Sequence, residues 1–226
     1  MGLEHHTEEL IYKDLEYHLS LNPSLSQFMV YTAIPGTPLY DCMNKEGRIL
    51  KDMDWHLIDG FRPNYTHQNL SGTRISELHM ECFKQDYEIL GPTVFRFVEI
   101  ALRGYKRFMD SEIPIQQARA KNMAKYCKEV RPLFDVSYKY LPNDKIVGKI
   151  QGLQNEIEDL FGKMPVSQRV ISRLAHVSAR VNQQLIDEQR WTNQPVMERI
   201  VYKDGKFSSP YWRMMKMLIP HRYAKD

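Results

Sequence analysis

Ile146, Ile150, Leu153, Ile157 and Leu160 recur at alternating spacings of four and three residues. That spacing keeps apolar side chains on one side of a helix, and an extended strand cannot satisfy it. The sequence Gly162-Lys163-Met164-Pro165 then makes a turn. Val166, Val170, Leu174, Val177, Val181 and Leu185 follow as a second stripe. Together they predict an antiparallel helical hairpin over residues 144–189, each stripe buried on the other or on the preceding helices. Gly148 and Gly152 either weaken the first arm or permit a close helix approach.

Much of the remaining chain has the same period. Thr7 suits the cap of a first helix, with Glu8 and Glu9 near its positive end and Ile11, Leu15 and Leu19 on one face. Ser71 opens a helix carrying Ile75, Leu78, Cys82 and Phe83, and Gly91-Pro92 breaks it. Val94, Phe95, Val98, Leu102, Tyr105 and Phe108 mark the next, and Pro132 bends or divides the segment after Glu112. The chain is therefore predicted to be mainly α.

One stretch departs from this pattern. Leu25 to Thr32 reads as a strand, mostly apolar from Phe28 to Tyr31, which suits burial on both faces. Ala33-Ile34-Pro35-Gly36 makes a loop, Thr37 and Pro38 suit the start of a short helix, and Gly47 its end. A helix, a short connection and a strand form the second half of a βαβ unit. A strand missing its neighbour on one edge would invite self-association through that edge.

The composition, 42% hydrophobic and 26% charged over 226 residues, is that of a globular protein with a packed core. A net charge of +3 makes neither nucleic acid nor an anionic membrane an obligatory partner. No apolar run approaches the roughly 20 residues that cross a bilayer. The polar, acidic start is no secretory signal, and a cytoplasmic location is expected. Cys42, Cys82 and Cys127 are too widely spaced for CxxC chemistry or a disulfide framework.

Chemical motifs are sparse. His5-His6 is a conspicuous pair, although adjacent residues do not converge easily on one metal. Asp52, Asp54, His56 and Asp59 could act as oxygen and imidazole ligands, and a solvated loop with Asx turns explains them as well. His67, His79 and His176 stand alone. The Arg103–Arg107 stretch is basic and fits a solvated helix face. There is no GxSxG, P-loop, HExxH or GxGxxG pattern. Near the end, "VMERIVYKDGKF" suggests a strand and turn, and "PYWRMMKMLIP" a short amphipathic helix.

The first sixty residues add a more specific signal. "GLEHHTEE" at residues 2–9 and "YTAIPGTPLY" at residues 31–40 are followed by "EGR" at 46–48 and "DWHLIDGF" at 54–61. This arrangement resembles the end of the barrel in radical S-adenosylmethionine (radical SAM) enzymes, closest to the group with an N-terminal cobalamin-binding domain. In that group a G-x-P-G-E-T-x-E turn precedes a helix and a final strand of the form YTPxPGTPLY. Glu4, His5 and His6 stand here where the family has Pro, Gly and Glu.

The resemblance implies a domain plan. Residues 1–47 would be the end of the barrel, 48–70 an irregular connector, 71–190 a helical C-terminal domain and 191–226 a tail. It also implies that Gly2, Leu3, Tyr31, Thr32 and Ala33 line an S-adenosylmethionine pocket, with no catalytic or metal-ligating residue of their own. The family's CxxxCxxC loop for a [4Fe–4S] cluster is not among these residues, nor is a cobalamin domain. The resemblance therefore implies a C-terminal fragment inactive alone, or a subunit completed by another chain carrying the N-terminal barrel and cluster. A non-catalytic helical interaction protein is the competing expectation.

Overall fold

Eight α-helices carry the fold of residues 1–50 and 58–187, the residues that the computed structural model describes. They are α1 Glu8–Ser20, α2 Pro38–Lys45, α3 Gly72–Leu90, α4 Thr93–Phe108, α5 Pro114–Glu129, α6 Pro132–Ser137, α7 Asp144–Phe161 and α8 Val166–Asp187. A 3-10 turn, Tyr138–Tyr140, leads from α6 towards α7. Residues 1–176 form one compact unit and 177–226 a second, of which the last part of α8 is described.

Local chemistry sets the helix ends. Thr7 Oγ1 accepts from Leu10 N–H at 3.3 Å, and Ser71 Oγ from Arg74 N–H at 3.1 Å. Each satisfies a donor that the first helical turn leaves free. Thr37 does the same for α2, and Pro38 follows it where a missing N–H costs nothing. Gly91 adopts φ +81°, a conformation that side chains resist, and so turns the chain sharply from α3 into α4.

The main core lies between α4, α5, α6 and α7. Phe95, Val98 and Leu102 meet Cys127, Phe134, Ile146, Ile150 and Ile157 there. Burying each large apolar side chain contributes about 1.5–3 kcal/mol. The broadest helix pairing is α4 with α5. It passes over Gly104, where an added Cβ would lie 2.5 Å from Met123 Sδ. A second core joins α1 to α3 through Ile11, Leu15, Leu78 and Cys82. Arg74 reinforces it from outside by pairing with Glu8, Glu77 and Glu81. A third, smaller core holds Ala33, Met43 and Tyr65.

Ile146, Ile150, Leu153 and Ile157 of the α7 stripe are buried as their spacing predicts, but against α4–α6, and Leu160 at its end is 40% exposed. The α8 stripe does not close on α7: Val166, Val170 and Leu174 are 72%, 53% and 65% exposed. α8 presents its polar side to the core instead. Ser172, 4% exposed, donates to Asp135 Oδ2 at 3.4 Å, and Gln168 Nε2 donates to the Lys128 carbonyl at 2.9 Å. Of the two alternatives for Gly148 and Gly152, the close approach is not found among the described residues, since a Cβ at either position would meet nothing within 4 Å.

The predicted strand over residues 25–32 is extended but forms no regular strand, and no sheet occurs among the described residues. One isolated antiparallel bridge joins Ile49 to Tyr65. The physical reason is the shortness of the pairing. Around Val30 each edge meets a single backbone partner, Met1 on one side and Gly60 on the other. Residues 51–57, including Asp52, Asp54, Trp55 and His56, lie outside the described residues, as do the expected terminal strand, turn and helix.

Candidate functional site

The N-terminal turn and the extended segment are built into one another. Met1 nitrogen donates to the Met29 carbonyl at 2.6 Å, and Tyr31 N–H donates to the Met1 carbonyl at 2.7 Å. One residue bonding to both neighbours of its opposite number is the pattern of a parallel ladder, with Met1 opposite Val30. On the other edge Val30 N–H donates to the Gly60 carbonyl at 2.6 Å. Asn64 completes that edge. Its Oδ1 accepts from Ala33 N–H at 2.9 Å and its Nδ2 donates to the Ala33 carbonyl at 2.7 Å.

Histidines and a tyrosine hold the turn. Gly2 has φ +79°, and its N–H donates to His6 Nδ1 at 3.1 Å. The Tyr65 hydroxyl donates to the Gly2 carbonyl, and burial pushes the Tyr65 pKa up to about 12, so it keeps its proton. His67 Nδ1 accepts from the N–H groups of Asn69 and Leu70 at 3.1 and 3.2 Å. Its Nε2 must then carry the proton, which it donates to the Leu3 carbonyl at 2.9 Å. His79 Nε2 likewise donates to the Phe28 carbonyl at 2.9 Å. Arg48 pairs with Glu4 at 2.6 Å and lies over the Tyr65 ring.

Beside this frame is an open groove of about 540 Å³, lined by Met1, Leu3, Met29–Thr32, Ile34 and Ile58–Gly60. Its volume falls in the range of about 300–1,000 Å³ typical of small-molecule sites. Leu3, Met29, Tyr31 and Ile34 are 37–57% exposed, so the wall is apolar and accessible. Of the residues named from the sequence, Leu3, Tyr31 and Thr32 line the groove. Gly2 and Ala33 are buried beside it, with backbone groups paired to His6, Tyr65 and Asn64. Their place is in the frame that shapes the wall. Thr32 Oγ1 donates to the Val30 carbonyl at 2.9 Å.

Asn64, Tyr65 and His67 are essential to this frame, and they stand in a stretch with no helical or strand period. No spacing signal marks them. His5 and His6 part company: His5 is exposed, while His6 is buried and spends Nδ1 on Gly2. Asp59 Oδ1 accepts from Phe61 N–H at 2.8 Å, an Asx turn. In the basic stretch at 103–107, Arg103 pairs with Glu99 and Lys106 with Glu156.

A second cluster contains a serine, a histidine and an aspartate without the order of a hydrolase. Ser26 donates its hydroxyl to Asp86 Oδ1, and His18 Nε2 lies 3.0 Å from Ser26 Oγ. A nucleophilic serine needs the base to accept its proton and the carboxylate to orient the far side of the imidazole. Here the serine hydroxyl donates its hydrogen bond to the carboxylate, not to the imidazole, and the carboxylate is held in a fork by Arg96. The cluster ties the end of α1 and its following turn to α3 and α4.

Among the described residues, no group of three or more His, Cys, Asp or Glu side chains is placed to hold a metal ion. Cys82 and Cys127 sit in different cores, and burial pushes each thiol up to about 11. Cys42 is exposed on α2, and its bond to Glu46 raises its pKa. No helix among the described residues is long and apolar enough to cross a membrane. No family model, curated protein or solved structure matches the chain.

Proposed function

We propose that residues 1–47 are the end of a radical SAM barrel of the cobalamin-binding type, and that the groove beside Tyr31 is part of its S-adenosylmethionine and substrate pocket. The observation that supports this best is the parallel register of Met1 with Val30. Consecutive barrel strands run parallel, and their C-terminal ends carry the loops that line the site. This register brings the Gly2–Thr7 turn and the Tyr31–Pro38 loop to the same end, as such a barrel requires.

The groove suits a nucleoside. Leu3, Met29, Tyr31 and Ile34 offer apolar contact on a wall fixed by Asn64, His67 and Tyr65. S-adenosylmethionine would supply the adenosyl group and the radical. This chain's residues would shape its seat and shield it from water. A [4Fe–4S] cluster does not fit the residues present, because Cys42, Cys82 and Cys127 occupy separate places. Cluster and cobalamin would be held by residues beyond these 226, in the same polypeptide or in another chain. A helical interaction protein is the second reading, favoured by the exposed apolar stripe of α8.

The coding sequence upstream of and next to this one provides the test. A product carrying CxxxCxxC should, when assembled with this chain and reconstituted anaerobically, release 5′-deoxyadenosine from S-adenosylmethionine and dithionite. Tyr31→Ala should lower that release by roughly a hundredfold, the scale of a reactant misplaced by about 1 Å. If no such product is encoded nearby, or if adding this chain changes nothing, the proposal fails.

A further inference from the structure

α8 carries its apolar face outward. Written as a heptad with Leu174 and Val181 at a, positions d are Val170 and Val177, and Ser172 falls at f on the opposite side. Ser172 is buried against Asp135, and Val177 and Val181 are 62% and 50% exposed. Among the described residues, the stripe that would normally seat a helix on its own core is therefore open over more than three turns.

Charge narrows what can cover it. From Val166 to Leu185 the helix has no Asp or Glu, while Arg169, Arg173 and Arg180 stand on it. Arg173 and Arg180 fall at g, flanking the seam, where coiled coils place the charges that choose a partner. Among the described residues neither has a carboxylate partner. A second α8 supplies none: antiparallel pairing would set arginine against arginine, and parallel pairing would set Arg173 and Arg180 beside Ser178 and Leu185. Residues 188–226 have eight Lys or Arg against four Asp or Glu, the same sign as α8.

We propose that the outer face of α8 is the docking site of an acidic amphipathic helix from a partner protein. Its apolar residues would seat between Val170, Leu174, Val177 and Val181, and its carboxylates beside Arg173 and Arg180. The apolar seam supplies affinity, and the arginines exclude basic helices. The proposal is independent of the function of the N-terminal groove.

Two synthetic four-heptad peptides test it on the full chain by fluorescence anisotropy. Both carry Leu at a and d; one has Glu at e and g, the other Lys. The acidic peptide should bind roughly tenfold tighter or better, with a preference that weakens as salt rises. Arg173→Glu with Arg180→Glu should reverse the preference, and Leu174→Asp should abolish binding of both. These positions are exposed, and circular dichroism unchanged from the parent would confirm the fold. Binding of neither peptide, equal binding of both, or preference for the basic one would overturn the proposal. So would a dimer by light scattering that Leu174→Asp dissolves, since the occupant would then be a second copy.

Discussion

Asn64 binds both backbone polar groups of Ala33, accepting from its N–H at 2.9 Å and donating to its carbonyl at 2.7 Å. A primary amide thus does what one residue of a neighbouring strand would do, and it closes the edge that the extended segment presents there. Both residues are buried, at 2% and 0% exposure, so water cannot take over either bond.

Asn64→Leu should therefore destabilise the fold by about 2–6 kcal/mol, because it strands a buried donor and acceptor at about 1–3 kcal/mol each. Asn64→Asp should also be costly, since its carboxylate would face the Ala33 carbonyl. Denaturant unfolding gives the loss, and amide exchange at Ala33 gives its location. A protected Ala33 amide in Asn64→Leu would show that another group holds the segment.

The helices were legible in the sequence because their period is local. The stripes of α4 and α7, the caps Thr7, Thr37 and Ser71, and the stop at Gly91 stand where the residues place them. The frame of the groove was not legible. Asn64, Tyr65 and His67 act on residues 31 to 64 positions away, and only the folded chain brings them to Ala33, Gly2 and Leu3. The α8 stripe was legible as a stripe, but which surface covers it depends on tertiary competition. The polar contacts of Gln168 and Ser172 settled that competition for the opposite face. The strand failed for a similar reason. Its composition favours extension, but a ladder needs several partners in register, and Val30 has one on each side.

The two stripes should respond differently to truncation. Ile150 is 2% exposed between α7 and its neighbours, so Ile150→Ala should cost about 2–5 kcal/mol through lost burial and a cavity. Leu174 is 65% exposed, so Leu174→Ala should change stability by no more than about 0.5 kcal/mol. Equal losses at both positions would mean that α8 is packed through its stripe.

Gly148 and Gly152 are helical, and an added methyl group would meet nothing within 4 Å. Gly148→Ala and Gly152→Ala should each stabilise the chain by about 0.5–1 kcal/mol, by restricting the unfolded chain and improving helix propensity. A fall in melting temperature at either site would reveal a neighbour against that face.

His6 should make the fold sensitive to mild acid. Its pKa is lowered from 6.5, first by burial and then by neighbouring positive charge, with Asp14 acting in the opposite direction. The unfolded state therefore takes up the proton before the folded state does. Stability should be full above about pH 6.5 and fall as pH drops towards the folded pKa. His6→Gln keeps an acceptor for Gly2 N–H and has no proton to gain. Melting temperatures between about pH 7.5 and 5.5 should fall more steeply for the parent than for this variant. Parallel profiles would remove His6 as the cause.

Arg96 and Asp86 form a buried pair, at 2.7 and 3.2 Å, with side chains 5% and 8% exposed. Arg96 also donates to the Pro23 carbonyl at 2.9 Å and to Thr93 Oγ1 at 3.0 Å, while Asp86 accepts from Ser26. Removing one partner leaves the other charged in a low-dielectric site, so Asp86→Leu or Arg96→Met should each cost about 3–5 kcal/mol. Removing both charges takes away that penalty. The double variant should then be less damaged than the sum of the singles, and a coupling of about 0.5–3 kcal/mol is the expected scale. Recovery should stay incomplete, because Pro23 and Ser26 lose the groups that fix the turn after α1. If the double variant regains full stability, that turn draws nothing from Arg96 or Asp86. If the losses simply add, the pair is hydrated and not buried.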